Sequence, residues 1–140
     1  MIILDTNVVS ELMRPAPSAQ VLAWARAQGA SEISTTAICE AELLFGIAIL
    51  PASQRRDKLE RALATVMMIV LGGRVLPFDR AAARAFANLA AWRRTGRPAM
   101  EADMLIASIA KTRNADAIAT RNVADFDGCG VPLINPWEKA

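Results

Sequence analysis

The sequence predicts an α/β protein, a parallel sheet of four or five strands sandwiched between two layers of helices. Three observations predict it. Short, wholly apolar runs recur along the chain, as strands buried on both faces require. Longer stretches with apolar residues at helical spacing separate them. No repeat, linker or low-complexity tract interrupts the alternation, so the 140 residues read as one domain, 1–140. Strands joined through helices pair in parallel, and such sheets bind ligands beyond the carboxyl ends of their strands, where the strand order reverses.

Met1 to Leu4 is the first apolar run, and Asp5 ends it. Ser18 caps a helix carrying Val21, Leu22, Trp24 and Ala25, which Gly29 stops. Ile33 to Thr36 reads as the second strand, and a helix from about Ala37 to Leu50 runs on to Pro51. Gln54 to about Val70 is a long amphipathic helix with Leu59, Ala62, Leu63, Val66 and Met67 inward, broken at Gly72 and Gly73. Val75 to Phe78 makes a third strand, and Asp79 caps a helix bearing Ala82, Phe86, Leu89 and Ala90. Thr95 to Pro98 is a loop, and a helix from about Met100 to Thr112 follows, stopping near Asn114. Ala117 to Thr120 and Val131 to Ile134 complete the sheet.

Composition removes whole classes of chemistry. With 54% hydrophobic and 21% charged residues the chain is core-rich, which excludes a disordered protein. There is no histidine, so serine and cysteine triads, imidazole acid–base pairs and histidine-bound zinc are excluded. Cys39 and Cys129 form no C-x-x-C and suit a reducing compartment as small buried hydrophobes. No apolar run reaches the ~18 residues of a membrane span, and "MIILDTN" lacks the basic and apolar regions of a signal peptide, so a cytoplasmic protein is expected. An enzyme built from these residues must work with carboxylates, arginines and hydroxyls, with or without a hard metal ion.

Three acids fall where structure alone does not want them. Asp5 sits at the carboxyl end of a buried strand, although it also suits the cap of a following helix. Glu42 lies in a stripe of Ile38, Ala41, Phe45 and Ile49 expected to be buried, where a lone carboxylate needs a partner, a proton or a cation. Glu40, about 200° round the same helix, is expected on the solvent side. Asp103 shares a face with Ile106, Ala107 and Ala110 in the first turn of its helix, and Glu101 is expected to be solvated. Asn122 and Asp125 follow the fourth strand, near Thr120 and Arg121. Oxygen ligands from separate segments, converging on one sheet edge, repel unless a divalent cation neutralises them, with Mg²⁺ or Mn²⁺ the hard-ligand choice. Such an ion polarises a phosphodiester and lowers the pKa of a bound water.

"MIILDTNVVSEL", "ISTTAICEAELLFGI", "EADMLIASIA" and "AIATRNVADFDGCGVPLINPW" together resemble a PIN domain, and more narrowly the VapC toxins, FitB-like branch included, of bacterial type II toxin–antitoxin systems. The resemblance implies a PIN fold and a Mg²⁺-dependent endoribonuclease, Mn²⁺ able to substitute, held inactive by a VapB-like antitoxin. It carries catalytic roles onto Asp5, Glu42 and Asp103, with one metal bound mainly by Asp5 and Asp103. The family's fourth acid often stands where this chain has Asn122, with Asp125 the nearest substitute, and Thr6, Asn7 and Thr120 are candidates to orient the ligands. Arg93, Arg94, Arg97 and Arg121 are candidates for RNA phosphates. By analogy Leu12, Met13, Val21, Leu22 and Trp24 are candidates for an antitoxin groove, and the helix from Phe86 to Trp92 for a homodimer. A higher assembly with antitoxin is expected, reaching operator DNA only through it, with no membrane partner. Two other readings stay open, an RNA-processing nuclease without antitoxin and a catalytically inactive PIN-like binding module.

Overall fold

A computed structural model describes residues 1–93 and 101–139, with the backbone alone for Arg93. Strands β1 (Ile2–Leu4), β2 (Ile33–Thr36), β3 (Val75–Leu76), β4 (Ala117–Ala119) and β5 (Leu133–Ile134) form a sheet in the order β3-β2-β1-β4-β5. Every pairing is parallel, with Ile3 opposite Ser34 on one side and Ile118 on the other. The described helices are α1 (Thr6–Leu12), α2 (Ala19–Ala27), α3 (Ala37–Ala48), α4 (Gln54–Thr65), α5 (Arg80–Arg93) and α6 (Ala102–Thr112).

Alternation along the strands divides the interior into two cores, as the period of a pleated strand demands. Ile3 and Ile118 pack on one face with Ala82 and Leu89 of α5 and Ile106, Ile109 and Ala110 of α6. Leu4 and Ala119 pack on the other with Val8 and Val9 of α1, Val21 of α2 and Leu63 of α4. The result is a three-layer α/β/α sandwich. The chain steps outward through β2 and β3, then returns past β1 to lay down β4 and β5 on the opposite side. The strand order therefore reverses between β1 and β4, and a site is expected at their carboxyl ends.

Asp5 takes the cap that the sequence left open: α1 begins directly after it, and its side chain accepts the Thr6 N–H. Other expectations are corrected. The long fourth helix changes winding at its end. Val66–Val70 is π-helical, with the Leu71 N–H reaching the Val66 carbonyl at 2.9 Å, so Val66 and Met67 are buried while Met68 and Ile69 face solvent.

Of the stripe expected inside α3, only Ile38 packs against the core; the rest lies outside. Phe45 and Ile49 are 66% and 65% exposed, Ala41 and Glu42 are exposed, and Cys39 and Ile47 face the core, with Leu43 packed against it. The helix offers two apolar stripes, and its cap chooses between them: Thr36 accepts the Cys39 N–H at 3.2 Å and turns Cys39 inward against the Leu4 carbonyl. Glu42 therefore meets no desolvation penalty, and Glu40 is the half-buried one. The groove residues are also largely interior. Val21 is fully buried, and Leu12, Met13 and Trp24 pack on its cluster; Leu22 is half-buried. Phe86 packs edge-on against Phe78, its ring centroid 6.4 Å away, in the other core. Among the described residues no helix is long and apolar enough to cross a membrane.

Candidate active site

Asp5 is the fixed point of the site. Its N–H continues the β1–β4 ladder by donating to the Ala119 carbonyl at 2.9 Å, which sets the residue at the strand end. Its carboxylate is held from both sides of the strand-order reversal. Oδ1 accepts the Thr6 N–H at 2.8 Å, while Oδ2 accepts the Thr120 hydroxyl at 2.8 Å and the Asn7 amide at 3.2 Å. Asn7 in turn accepts the Arg121 N–H at 3.1 Å, and Thr120 accepts the Asn122 N–H at 3.0 Å. A buried carboxylate with three donors has no rotamer left to explore.

Burial pushes the Asp5 carboxyl above its usual range, and the Thr120 hydroxyl and Thr6 N–H pull it back. The negative charges of Glu42 and Asp103 push it further up. Glu42 stands on exposed α3 surface, its Oε1 accepting the Thr6 hydroxyl at 2.8 Å. Asp103 is half-buried in the first turn of α6, and Glu101, the residue that precedes that helix, is half-buried beside it rather than solvated. Asn122 and Asp125 are exposed past β4, Asp125 in the 3₁₀ turn Val123–Phe126.

These groups share one cleft of ≈ 610 Å³, whose lining includes Asp5, Glu42, Glu101, Asp103, Asn122 and Asp125. No Lys or Arg is among its described lining residues. These five carboxylates form a donor set of hard oxygens, the chemistry that suits Mg²⁺ or Mn²⁺. Among the described residues no three of them stand close enough to hold one ion as a finished cage. Spaced carboxylates are compatible with Mg²⁺, which keeps several waters and takes only one or two carboxylates directly.

Thr6 and Asn7 line the cleft, whereas the buried Thr120 sits behind Asp5. Arg121 is absent from the cleft wall; its guanidinium lies 5.0 Å over the Trp137 ring. Arg94, Arg97 and the side chain of Arg93 lie outside the described residues. Cys39 lies behind Asp5 with its thiol pushed up by burial, which leaves it un-ionised and inert. Sequence reasoning missed Ser10 and Glu101 in the lining. Ser10 follows Thr6 by four residues on α1, and reading Asp5 as a cap places both on one helical face.

The profile of the PIN domain family matches residues 2–127. The chain is 43% identical to the VapC ribonuclease Y4jK of Sinorhizobium fredii, covering all of both chains. It is 36% identical to Toxin FitB of Neisseria gonorrhoeae over 98% of this chain and 99% of that one. In structure it is similar to FitB-containing complexes: FitAcB from Neisseria gonorrhoeae at TM-score 0.86 and 35% identity, covering 99% of this chain and 100% of the other. FitAB bound to an IR36 DNA fragment superposes at TM-score 0.87 and 33% identity, covering 100% and 98%.

Proposed function

From a chain that belongs to the PIN-domain family, in the branch holding the VapC ribonucleases and the FitB toxin, we propose the toxin of a type II toxin–antitoxin pair, a Mg²⁺-dependent endoribonuclease. The observation that carries this reading is the cleft in which Asp5, Glu42, Glu101, Asp103 and Asp125 converge, around an aspartate immobilised by three donors. Its relatives were solved as complexes named for a toxin and its partner, with DNA in one. That supports a VapB-like antitoxin that inhibits the chain and carries it to operator DNA. As an enzyme acting on cellular RNA it works in the cytoplasm.

Asp5 and Asp103 would hold one divalent ion, which supplies charge neutralisation at the phosphate and a more acidic water. Asp5 keeps its lone pairs aimed into the cleft because Thr6, Asn7 and Thr120 occupy the other directions. Glu42, an exposed carboxylate tethered through the Thr6 hydroxyl, would orient the attacking water and take its proton. Asn122 brings a neutral amide, and Asp125, on the following turn, restores a negative charge at the same wall. The carboxylates lining the cleft repel a phosphate, so it would approach productively only with a cation present.

Inducible expression of the chain without its partner tests the proposal. Growth arrest is expected, lifted by Glu42→Gln, by Asp5→Asn, and by co-expression of the neighbouring DNA-binding partner. Normal growth in cells that accumulate the folded chain would refute the toxin reading.

A further inference from the structure

Trp92, near the end of α5, is 68% exposed. The far edge of its indole rests against Gly128, where a Cβ would stand 2.5 Å from Cη2 and 2.8 Å from Cζ3. Gly128 has φ +75°, a conformation glycine adopts freely, so both the turn and the approach of the ring depend on the missing side chain. That turn directly follows Val123–Phe126, whose Asp125 and Phe126 wall the acidic cleft. Three residues from Asp125 to Gly128 span at most about 11 Å. A large aromatic, propped in position by its edge, therefore stands in water beside the candidate active site.

The surroundings of the ring favour a flat ligand over a protein face. Its exposed neighbours on α5 are Ala87, Asn88 and Ala91, small or polar, with no second large apolar side chain among them. The extended apolar surface that a protein would bury lies elsewhere, on α3, where Leu44, Phe45 and Ile49 are all more than half exposed. The chain just beyond the ring reads Arg93-Arg94-Thr95-Gly96-Arg97, basic sequence next to an exposed aromatic. Single strands are gripped by that combination of stacking and positive charge.

We propose that Trp92 is a stacking platform for one nucleobase of single-stranded RNA, beside the phosphate held in the cleft. This rests on the ribonuclease reading and adds to it a residue that sets the register of the strand. Every base has a π-face, so stacking here selects position along the strand rather than base identity.

The test is binding of a fluorescently labelled single-stranded oligoribonucleotide to the cleavage-deficient Glu42→Gln protein, which keeps both proposed metal-holding aspartates, with Mg²⁺ present. It is repeated with Trp92→Ala or Trp92→Phe added, at several salt concentrations, with melting temperatures compared. Trp92→Ala is expected to weaken binding about 5- to 150-fold and Trp92→Phe much less. The salt dependence should be unchanged, because no phosphate contact is lost. An abasic nucleotide at one position should erase the difference between the parent and the Trp92→Ala protein. Equal affinity of the Trp92→Ala and parent proteins overturns the proposal, as does a loss that no single abasic position erases. A loss of self-association or of partner binding with RNA affinity intact assigns the ring to a protein and also overturns it. Failure of the Glu42→Gln protein itself to bind RNA with Mg²⁺ present overturns the ribonuclease reading, and this proposal with it.

Discussion

The Thr120 hydroxyl donates to Oδ2 of Asp5 at 2.8 Å, tying the end of β4 to the end of β1 across the point where the strand order reverses. The two residues are 115 apart in sequence, and both are buried. Thr120 also accepts the Asn122 N–H, so one hydroxyl both aims the aspartate and shapes the turn that carries Asn122 and Asp125 to the cleft.

Thr120→Val removes that hydroxyl at nearly constant volume. Ribonuclease activity is expected to fall about 10- to 100-fold, the usual range for a lost partner of a metal-ligating carboxylate. Stability falls about 1–3 kcal/mol because the Asn122 N–H and Asp5 both lose a partner. The hydroxyl lowers the Asp5 pKa, so its loss moves the acid limb of the pH–rate profile to higher pH. Thr120→Ser restores the limb and most of the rate.

Asp5→Asn tests the electrostatic strain of the site. Asp5 has its pKa raised in the fold, by burial first. Its stability contribution is therefore fully present below the unfolded value of 3.8 and is lost as pH rises through the folded value. Asn caps a helix as well as Asp does. The variant is thus expected to melt above the parent at pH 7 without divalent ions, with the gap closing as pH falls to about 4. Added Mg²⁺ or Mn²⁺ raises the parent's midpoint and leaves the variant's nearly unmoved.

Glu11 works in the opposite sense. It is 8% exposed and accepts the Ser18 N–H at 2.9 Å and the Arg14 guanidinium at 3.2 Å. The Ser18 N–H, then Arg14, hold its carboxyl below the usual 4.5. Its contribution is present above 4.5 and is lost as pH falls through the folded value. Glu11→Ala is expected to destabilise by about 1–3 kcal/mol at pH 7, chiefly by orphaning the Ser18 N–H. Arg14 is 64% exposed and adds little. Urea melts of parent and variant should converge below pH 4, and the catalytic rate of the folded variant should equal the parent's.

The two stripes of α3 are separable by mutation. Phe45→Lys is expected to shift stability by no more than about 0.5 kcal/mol, since the ring is exposed. Ile47→Ala, at a core position, should cost about 2–5 kcal/mol. Denaturant melts on monomeric protein decide the matter, and a large loss from Phe45→Lys would restore the buried stripe that the sequence suggests.

What was legible in the sequence had strong local signals. Apolar runs ended by polar residues marked four of the five strands, β2 (Ile-Ser-Thr-Thr) being the exception, and Ser18 capped α2 as its position before an apolar period required. Asp5, Asp103, Asn122 and Asp125 could be gathered because topology alone sends strand ends to one edge. Glu42 reached the cleft for a reason different from the one the sequence suggested. Its helix had apolar residues on two faces, and only the Thr36 cap, a contact three residues away from Cys39, chose which face turned inward. The inward packing of Val21 and Trp24 was equally invisible, because a partly apolar helix reads the same whether its stripe meets a core or a partner. The π-helical end of the fourth helix had no sequence marker at all.

The decisive measurement is cleavage of total cellular RNA by the purified, partner-free chain with Mg²⁺ or Mn²⁺, run beside EDTA and the Asp5→Asn variant. Discrete fragments are predicted, absent with EDTA, absent with the variant, and restored when the ion is returned to the parent. Intact RNA from folded protein supplied with either ion, or cleavage that persists in EDTA, would contradict a metal-dependent ribonuclease centred on Asp5.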